Sequence, residues 1–267
     1  MRKYYSFFRL RLMTGLQYRS AALAGMVTQF FWGLMSLSVL HAFYRADPSA
    51  YPMTLEATAS YIWLQQALLA LFQAWLFDGE IFEVINSGNL AYELCRPIHV
   101  YDMWFARGLA RRLSMAALRC APILLAASFL PKGYGLSGPA SVSAFLLFLC
   151  SLALGLLVMV ALNMLIYGTA LFTLSADGLR VLFASVAEIL AGQVIPLPFF
   201  PDRVRRILER NPFAAMGNVA FRIYSGDLAG QEMRTAILLQ IFWLAALTAA
   251  GRLLCALGEK KAVVQGG

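Results

Sequence analysis

The chain has 267 residues, 60% of them hydrophobic and only 13% charged, with a mean hydropathy of +0.67. Soluble domains carry about a quarter charged residues, so this composition excludes an ordinary soluble fold and points to an integral membrane protein. The formal net charge of +8 does not mark a nucleic-acid surface, because the basic residues stand at the ends of apolar runs, where orientation and lipid headgroups account for them.

Residues 1–19 carry Arg2, Lys3, Arg9, Arg11 and Arg19 with no acid, and Tyr4, Tyr5, Phe8 and Leu12 recur at helical spacing. This predicts an amphipathic helix lying in the cytoplasmic interface of the membrane. A cleaved signal peptide is the competing reading, but the apolar run 20–44 that follows has the length of a full span. The first span then covers about 20–43, with Phe30, Phe31 and Trp32 in its middle. The linker 45–56, with Pro48 and Pro52, is external. A second span over 57–77 carries Gln65, Gln66 and Gln73, amides that must point into the protein because lipid offers them no partner.

The polar stretch 77–102 follows, holding Asp78, Glu80, Glu83, Glu93 and Asp102, five of the fourteen acids in the chain. Such a segment belongs outside hydrocarbon, on the cytoplasmic side. Ile81, Phe82 and Ile85 fall on one face of a short helix that Ser87-Gly88 stops, and 90–94 form a second piece that Arg96-Pro97 ends. With no lipid to cover it, the apolar face predicts a docked protein partner.

In the third membrane helix, 103–130, Arg107, Arg111 and Arg112 are expected at the headgroups, and Arg119, two turns further in, is expected to face the bundle. An external turn at 131–135 leads to a fourth span over 141–174 with Asn163 inside it. A turn at 175–178 lies inside, and the fifth run, 179–195, contains Glu188, the one carboxylate placed well within an apolar span. Pro196, Pro198 and Pro201 then break the chain into short pieces at 202–210 and 213–224, too short and too charged to cross, which read as half-inserted helices at a membrane face. The last span covers 235–257. The distribution of basic residues mildly favours five spans, and the length of 179–200 favours six.

Two motifs carry a family likeness. One is Gly88-Asn89-Leu90-Ala91 leading to Leu94-Cys95-Arg96-Pro97; the other is Pro196-Leu197-Pro198-Phe199-Phe200-Pro201 followed by Asn211-Pro212-Phe213 and Ile223-Tyr224-Ser225-Gly226. Together and in order they resemble ABC-2-type exporter permeases over nearly the whole chain, with most likeness to the smaller bacterial subfamily of paired permeases. The resemblance implies one all-α transmembrane domain over 1–267, with six transmembrane helices, an N-terminal interfacial helix at 1–19, a coupling helix within 77–102 and re-entrant external helices within 196–234. It implies a multi-pass protein of the bacterial cytoplasmic (inner) membrane that works with an ABC ATPase dimer and a second permease, identical or paired. The arginine-rich 203–210 and Cys95 depart from the pattern, so no cargo is carried over with the likeness.

Under that resemblance Ile81, Phe82, Glu83, Ile85, Leu90, Leu94 and Arg96 would couple to the ATPase, Gln66, Gln73, Asn163 and Glu188 are candidates for the translocation path, and Pro198, Phe199, Phe200, Pro201 and Phe213 for an external gate. The chain has no G-x-x-x-x-G-K-[ST], so ATP and magnesium are expected on the partner ATPase, and no cofactor, metal or catalytic residue is expected here. His41 and His99 fall on opposite sides of the membrane, and neither Ser/His/Asp nor HExxH spacing occurs. The aromatic-rich first and fifth spans suit a lipophilic or amphipathic substrate. A proton-coupled transporter using Glu188 and a non-transporting membrane scaffold are the alternatives.

Overall fold

The computed structural model describes residues 2–17, 19–47, 51–173 and 176–261; Met1, Pro48, Leu174 and Ser175, which enter the expectations above, lie outside the described residues. The regular structure among them is helical: α1 (Arg2–Gly15), α2 (Arg19–Ala46), α3 (Leu55–Ala67), α4 (Leu69–Phe72), α5 (Gly79–Asn86), α6 (Leu90–Leu94), α7 (Val100–Ser128), α8 (Val142–Ala170), α9 (Asp177–Leu190), a 3-10 turn at Leu197–Phe199, α10 (Asp202–Leu208), α11 (Gly217–Ser225) and α12 (Gly230–Lys261). Side-chain caps mark several starts. Thr54 accepts from the Ala57 amide, Asp78 from Glu80 and Ser141 from Ala144, each satisfying a donor that the first turn leaves free.

Among the described residues three helices are long and apolar enough to cross a membrane by length and composition: Ala22–Ala46, Val142–Ala170 and Gly230–Lys260. The other expected crossings depart from continuous apolar helices. The second is not one helix over 57–77, because it breaks at Leu68 and stops at Gln73, after which the chain runs irregularly to α5. The fifth run is regular helix only over α9, 14 residues or about 21 Å of rise against roughly 30 Å of hydrocarbon. Gly192, at φ 71°, turns the chain there, where a Cβ would stand 2.9 Å from the Leu197 amide nitrogen.

α8 is the hub. It packs against α12 along its length and against α11 near its middle, and it buries Val158–Leu162. Buried Gln240 of α12 clamps three elements: its amide donates to the carbonyls of Ser151 (3.1 Å) and Ala215 (2.9 Å), and its oxygen accepts from the Ser151 hydroxyl (2.9 Å). Amide bonds of this kind hold helices together where burial supplies little drive between apolar surfaces. α2 instead leaves Leu23, Val27, Phe31, Met35 and Val39 exposed, a row at every fourth residue.

Gly155 of α8 permits the closest approach, since a Cβ there would run into the Met216 carbonyl oxygen just before α11. Gly155→Ala should therefore destabilise the protein by about 1–3 kcal/mol, backbone being unable to yield as a side chain does. Gly108→Ala, whose Cβ would meet Val160 Cγ1 at an ordinary 3.4 Å, should be neutral or stabilise by up to about 1 kcal/mol. Thermal unfolding in detergent separates the two, and equal midpoints would remove the close-packing argument.

Before α12, α10 and α11 are joined by Arg222, 7% exposed, which pairs with Glu209 and Asp227 at 2.5 Å each. Burial works against its charge, but Asp227 and then Glu209 outweigh that and hold the guanidinium above its usual pKa. The apolar side chains Val204 and Ile207 of α10 are exposed.

Candidate functional site

The segment 73–102 is a folded unit held by charge and aromatic packing. Asp78 and Arg107 are both nearly inaccessible; Arg107 Nε donates to Asp78 Oδ2 (2.5 Å) and its Nη2 to Asp78 Oδ1 (2.9 Å), with Nη2 also bonded to Glu80. Arg111 approaches Asp78 at 3.6 Å and Arg11 of α1 approaches Glu80 at 3.4 Å. The same Asp78 caps α5, and its own amide donates to the Tyr167 hydroxyl of α8 (2.8 Å). One residue thus ties the loop to both α7 and α8. Glu93 of α6 accepts from Trp104 Nε1 (2.6 Å), and Asp102 accepts from Arg252 of α12 (2.6 Å).

The apolar face of α5 is where the expectation needs correcting. Ile81 and Phe82 are 0% and 4% exposed, set against Phe77, Trp104 and Tyr167, with the Phe82 and Tyr167 ring centroids 5.1 Å apart. The Arg180 guanidinium closes over Phe82 at 4.7 Å. Leu90 is buried in the same cluster, and Ile85 is half-buried beside it. A short amphipathic helix gains most by burying its stripe at once, and the ends of α7 and α8 offer an aromatic surface that does so. The outward surface holds Glu83, Leu94 (40% exposed) and Arg96 of the expected coupling residues together with Tyr92 (74%).

Behind this unit the break after α4 exposes backbone carbonyls inside the protein, and side chains from three elements take them up. Arg112, 1% exposed, donates to the carbonyls of Ala70 (3.4 Å), Leu71 (2.9 Å), Gln73 (3.0 Å) and Leu76 (3.0 Å). Gln193 donates to Phe72 (2.8 Å) and Asn163 to Leu76 (3.3 Å). The carbonyl end of a helix carries partial negative charge, so a guanidinium there is favoured twice. Irregular backbone inside a membrane domain is tolerated only when protein groups satisfy it in this way. The headgroup position expected for Arg107 and Arg112 is thereby corrected: both are interior residues.

The path candidates divide accordingly. Asn163 and Gln73 sit at the break, Asn163 as a carbonyl partner. Gln66 is half-buried on α3 and Glu188 half-buried on α9. The neighbouring Gln65, not singled out for the path, donates to the Gly192 carbonyl (3.1 Å) and lines a ≈20 Å³ cavity with Gln193 and Asn218. The gate candidates are not brought together. Phe199 lies 5.6 Å from the Tyr51 ring, whereas Phe213 meets Phe183 of α9 at 5.7 Å; Pro198 is buried, Phe200 half-buried and Pro201 exposed.

α1 runs beside the first half of α7 and in the same direction: the Tyr4 hydroxyl accepts from the His99 amide (3.3 Å), and Gly15 abuts Ser114. Its apolar surface is split. Phe7 reaches the Phe77 cluster, and Tyr5, Leu10 and Met13 face outward. Asp78, Arg107 and Arg112 were not among the expected site residues, although an acid and two arginines bracketing one polar stretch are a readable sign of pairing.

The family model described as ABC-2 family transporter protein matches residues 30–263. No curated protein matches the chain significantly.

Proposed function

The chain belongs to the ABC-2 family of transporter proteins, as a permease of an ABC transporter, and from that membership we propose that it is the transmembrane subunit of an exporter driven by a separate ATPase dimer. In this reading a second permease, identical or paired, completes the pathway, ATP and magnesium bind the ATPase, and the complex sits in a bacterial inner membrane. The proposed topology has six crossings, with α2, α8 and α12 as the apolar ones and α3–α4, α7 and α9 completing the bundle. A lipophilic or amphipathic cargo fits the apolar interior.

The observation that carries this reading is the anchoring of 77–102. Asp78 ties the loop to α7 and α8, and Asp78 directly follows the irregular stretch 73–77. A push on its outward face would be conveyed to the α4 break and to α7 as a rigid-body shift. The docking surface is then Tyr92 and Leu94, with Glu83 and Arg96 at the rim.

Each large apolar side chain contributes on the order of 1.5–3 kcal/mol when fully buried, so Tyr92→Ala with Leu94→Ala should weaken ATPase association by two or more factors of ten. The variant should insert, unfold at the parent temperature and lose both ATPase on co-purification and ATP-dependent transport. Full retention of the ATPase with normal transport would overturn the coupling role.

A further inference from the structure

A cleft of ≈380 Å³ opens between the end of α1, the start of α2 and the middle of α7; it borders the Asp78–Arg107 anchor, and the outward docking face of the loop has no part in it. Four arginines line it, Arg11, Arg107, Arg111 and Arg119, against two carboxylates, Asp78 and Glu80. Both acids are already engaged by Arg107 at hydrogen-bonding distance, which leaves Arg11 and Arg111 only the longer approaches of 3.4 and 3.6 Å. Arg119 has less. Among the described residues its Nε is buried without a hydrogen-bond partner, and its guanidinium lies against Gly25 of α2, where a Cβ would stand 2.8 Å from Cζ.

A guanidinium whose buried Nε has no partner is unfavourable among apolar groups, and its fork suits a phosphate bidentately. The rest of the cleft fits an amphiphile. Ala22, Met115 and Leu118 form apolar wall. Arg119 lies five residues past Ser114, the point where α1 ends against α7, so it sits about 7.5 Å deeper along the helix, where the arginine-rich half of α7 gives way to its apolar half. The volume falls in the range of about 300–1,000 Å³ typical of small-molecule sites, larger than a bare ion needs.

We propose that this cleft binds the phosphate headgroup of an anionic phospholipid from the leaflet that α1 faces, with Arg119 and Arg111 holding the phosphate and Arg11 closing the site from α1. The lipid would fill the charge deficit of the cleft and fasten α1 to the α2–α7 pair. The site stands apart from ATPase docking, so its test reads lipid rather than transport.

Full-length protein in a neutral detergent is loaded with phosphatidylglycerol or phosphatidylcholine and retained lipid is counted by native mass spectrometry. The parent should retain phosphatidylglycerol about tenfold over phosphatidylcholine, and Arg119→Gln should lower that preference by a comparable factor, with Arg119→Lys in between. Arg206→Gln, on α10, should leave it unchanged. Arg111 is 41% exposed, so Arg111→Gln is the second variant, expected to lose preference even if Arg119→Gln does not fold. Equal retention of the two lipids by the parent, or an undiminished preference in folded variants, overturns the proposal. Displacement of phosphatidylglycerol by millimolar inorganic phosphate, itself retained, would assign the cleft to a soluble phosphate and overturn the lipid.

Discussion

Arg112→Met is expected to destabilise the protein by on the order of 3–5 kcal/mol, although residue 112 is buried and lies on no outward surface. The reason is the α4 break. Four carbonyls converge on one guanidinium, and methionine fills its volume without supplying a donor. A buried carbonyl left without a partner costs roughly 1–3 kcal/mol. Asn163 would still serve Leu76, and the Leu76 amide would still serve Gln73, so the loss falls on Ala70 and Leu71. Arg112→Lys should recover only part of it, because an ammonium has three donors and no planar fork to bridge carbonyls spread over 70–76. Detergent thermal unfolding, converted with the unfolding entropy of the parent, reads the difference. A methionine variant within 1 kcal/mol of the parent would show that the break is held by packing alone.

The second large effect lies at Asp78 and Arg107. Asp78→Leu should leave Arg107 buried against Glu80 alone and cost roughly 3–5 kcal/mol, to which the lost cap of α5 adds about 1 kcal/mol. Arg107→Met should cost a similar amount by stranding Asp78, even with Arg111 nearby at 3.6 Å. The double variant Asp78→Leu with Arg107→Met is expected to regain most of that stability, since replacing a buried pair by apolar groups of similar volume is often neutral. Function should not return with it. With the ion pair gone, 77–102 remains seated by Phe82 and by the Glu93–Trp104 hydrogen bond but loses the charged tie to α7 at the residue next to the α4 break, so ATP-driven transport should stay low in a protein of near-parent stability. A double variant that transports at the parent rate would sink the relay. Additive rather than compensating losses would show that the two side chains act separately.

Much of the helical layout was legible from local patterns. The start of α8 was readable at Ser141, a capping side chain before an unbroken apolar run, and Pro196, Pro198 and Pro201 announced the end of regular helix after α9. The two short helices in the 77–102 loop were legible from Ser87-Gly88 and Arg96-Pro97. These signals work because caps, prolines and glycines act on the backbone within a few residues of themselves. Partnership was not legible. Ile81 and Phe82 show the same amphipathic spacing whether the surface that covers them belongs to this chain or to another, and only the positions of Trp104 and Tyr167 decide it.

The amino-acid sequence by itself determined that this is an all-helical membrane protein, where its principal polar loop lies, and the ABC-2 likeness, because composition, turn residues and ordered motifs are properties of the chain read locally. Only the tertiary structure decided what the arginines of α7 do. Arg107, Arg111 and Arg112 look alike as an interfacial cluster, yet Arg107 holds an ion pair and Arg112 binds four carbonyls of a broken helix, while Arg119, expected to face the bundle, lines a cleft with an Nε that has no hydrogen-bond partner among the described residues. A guanidinium's role is set by which carboxylates and carbonyls come within about 3 Å of it, and those belong to α4, α5 and the loop between them, roughly 30 to 40 residues away along the chain.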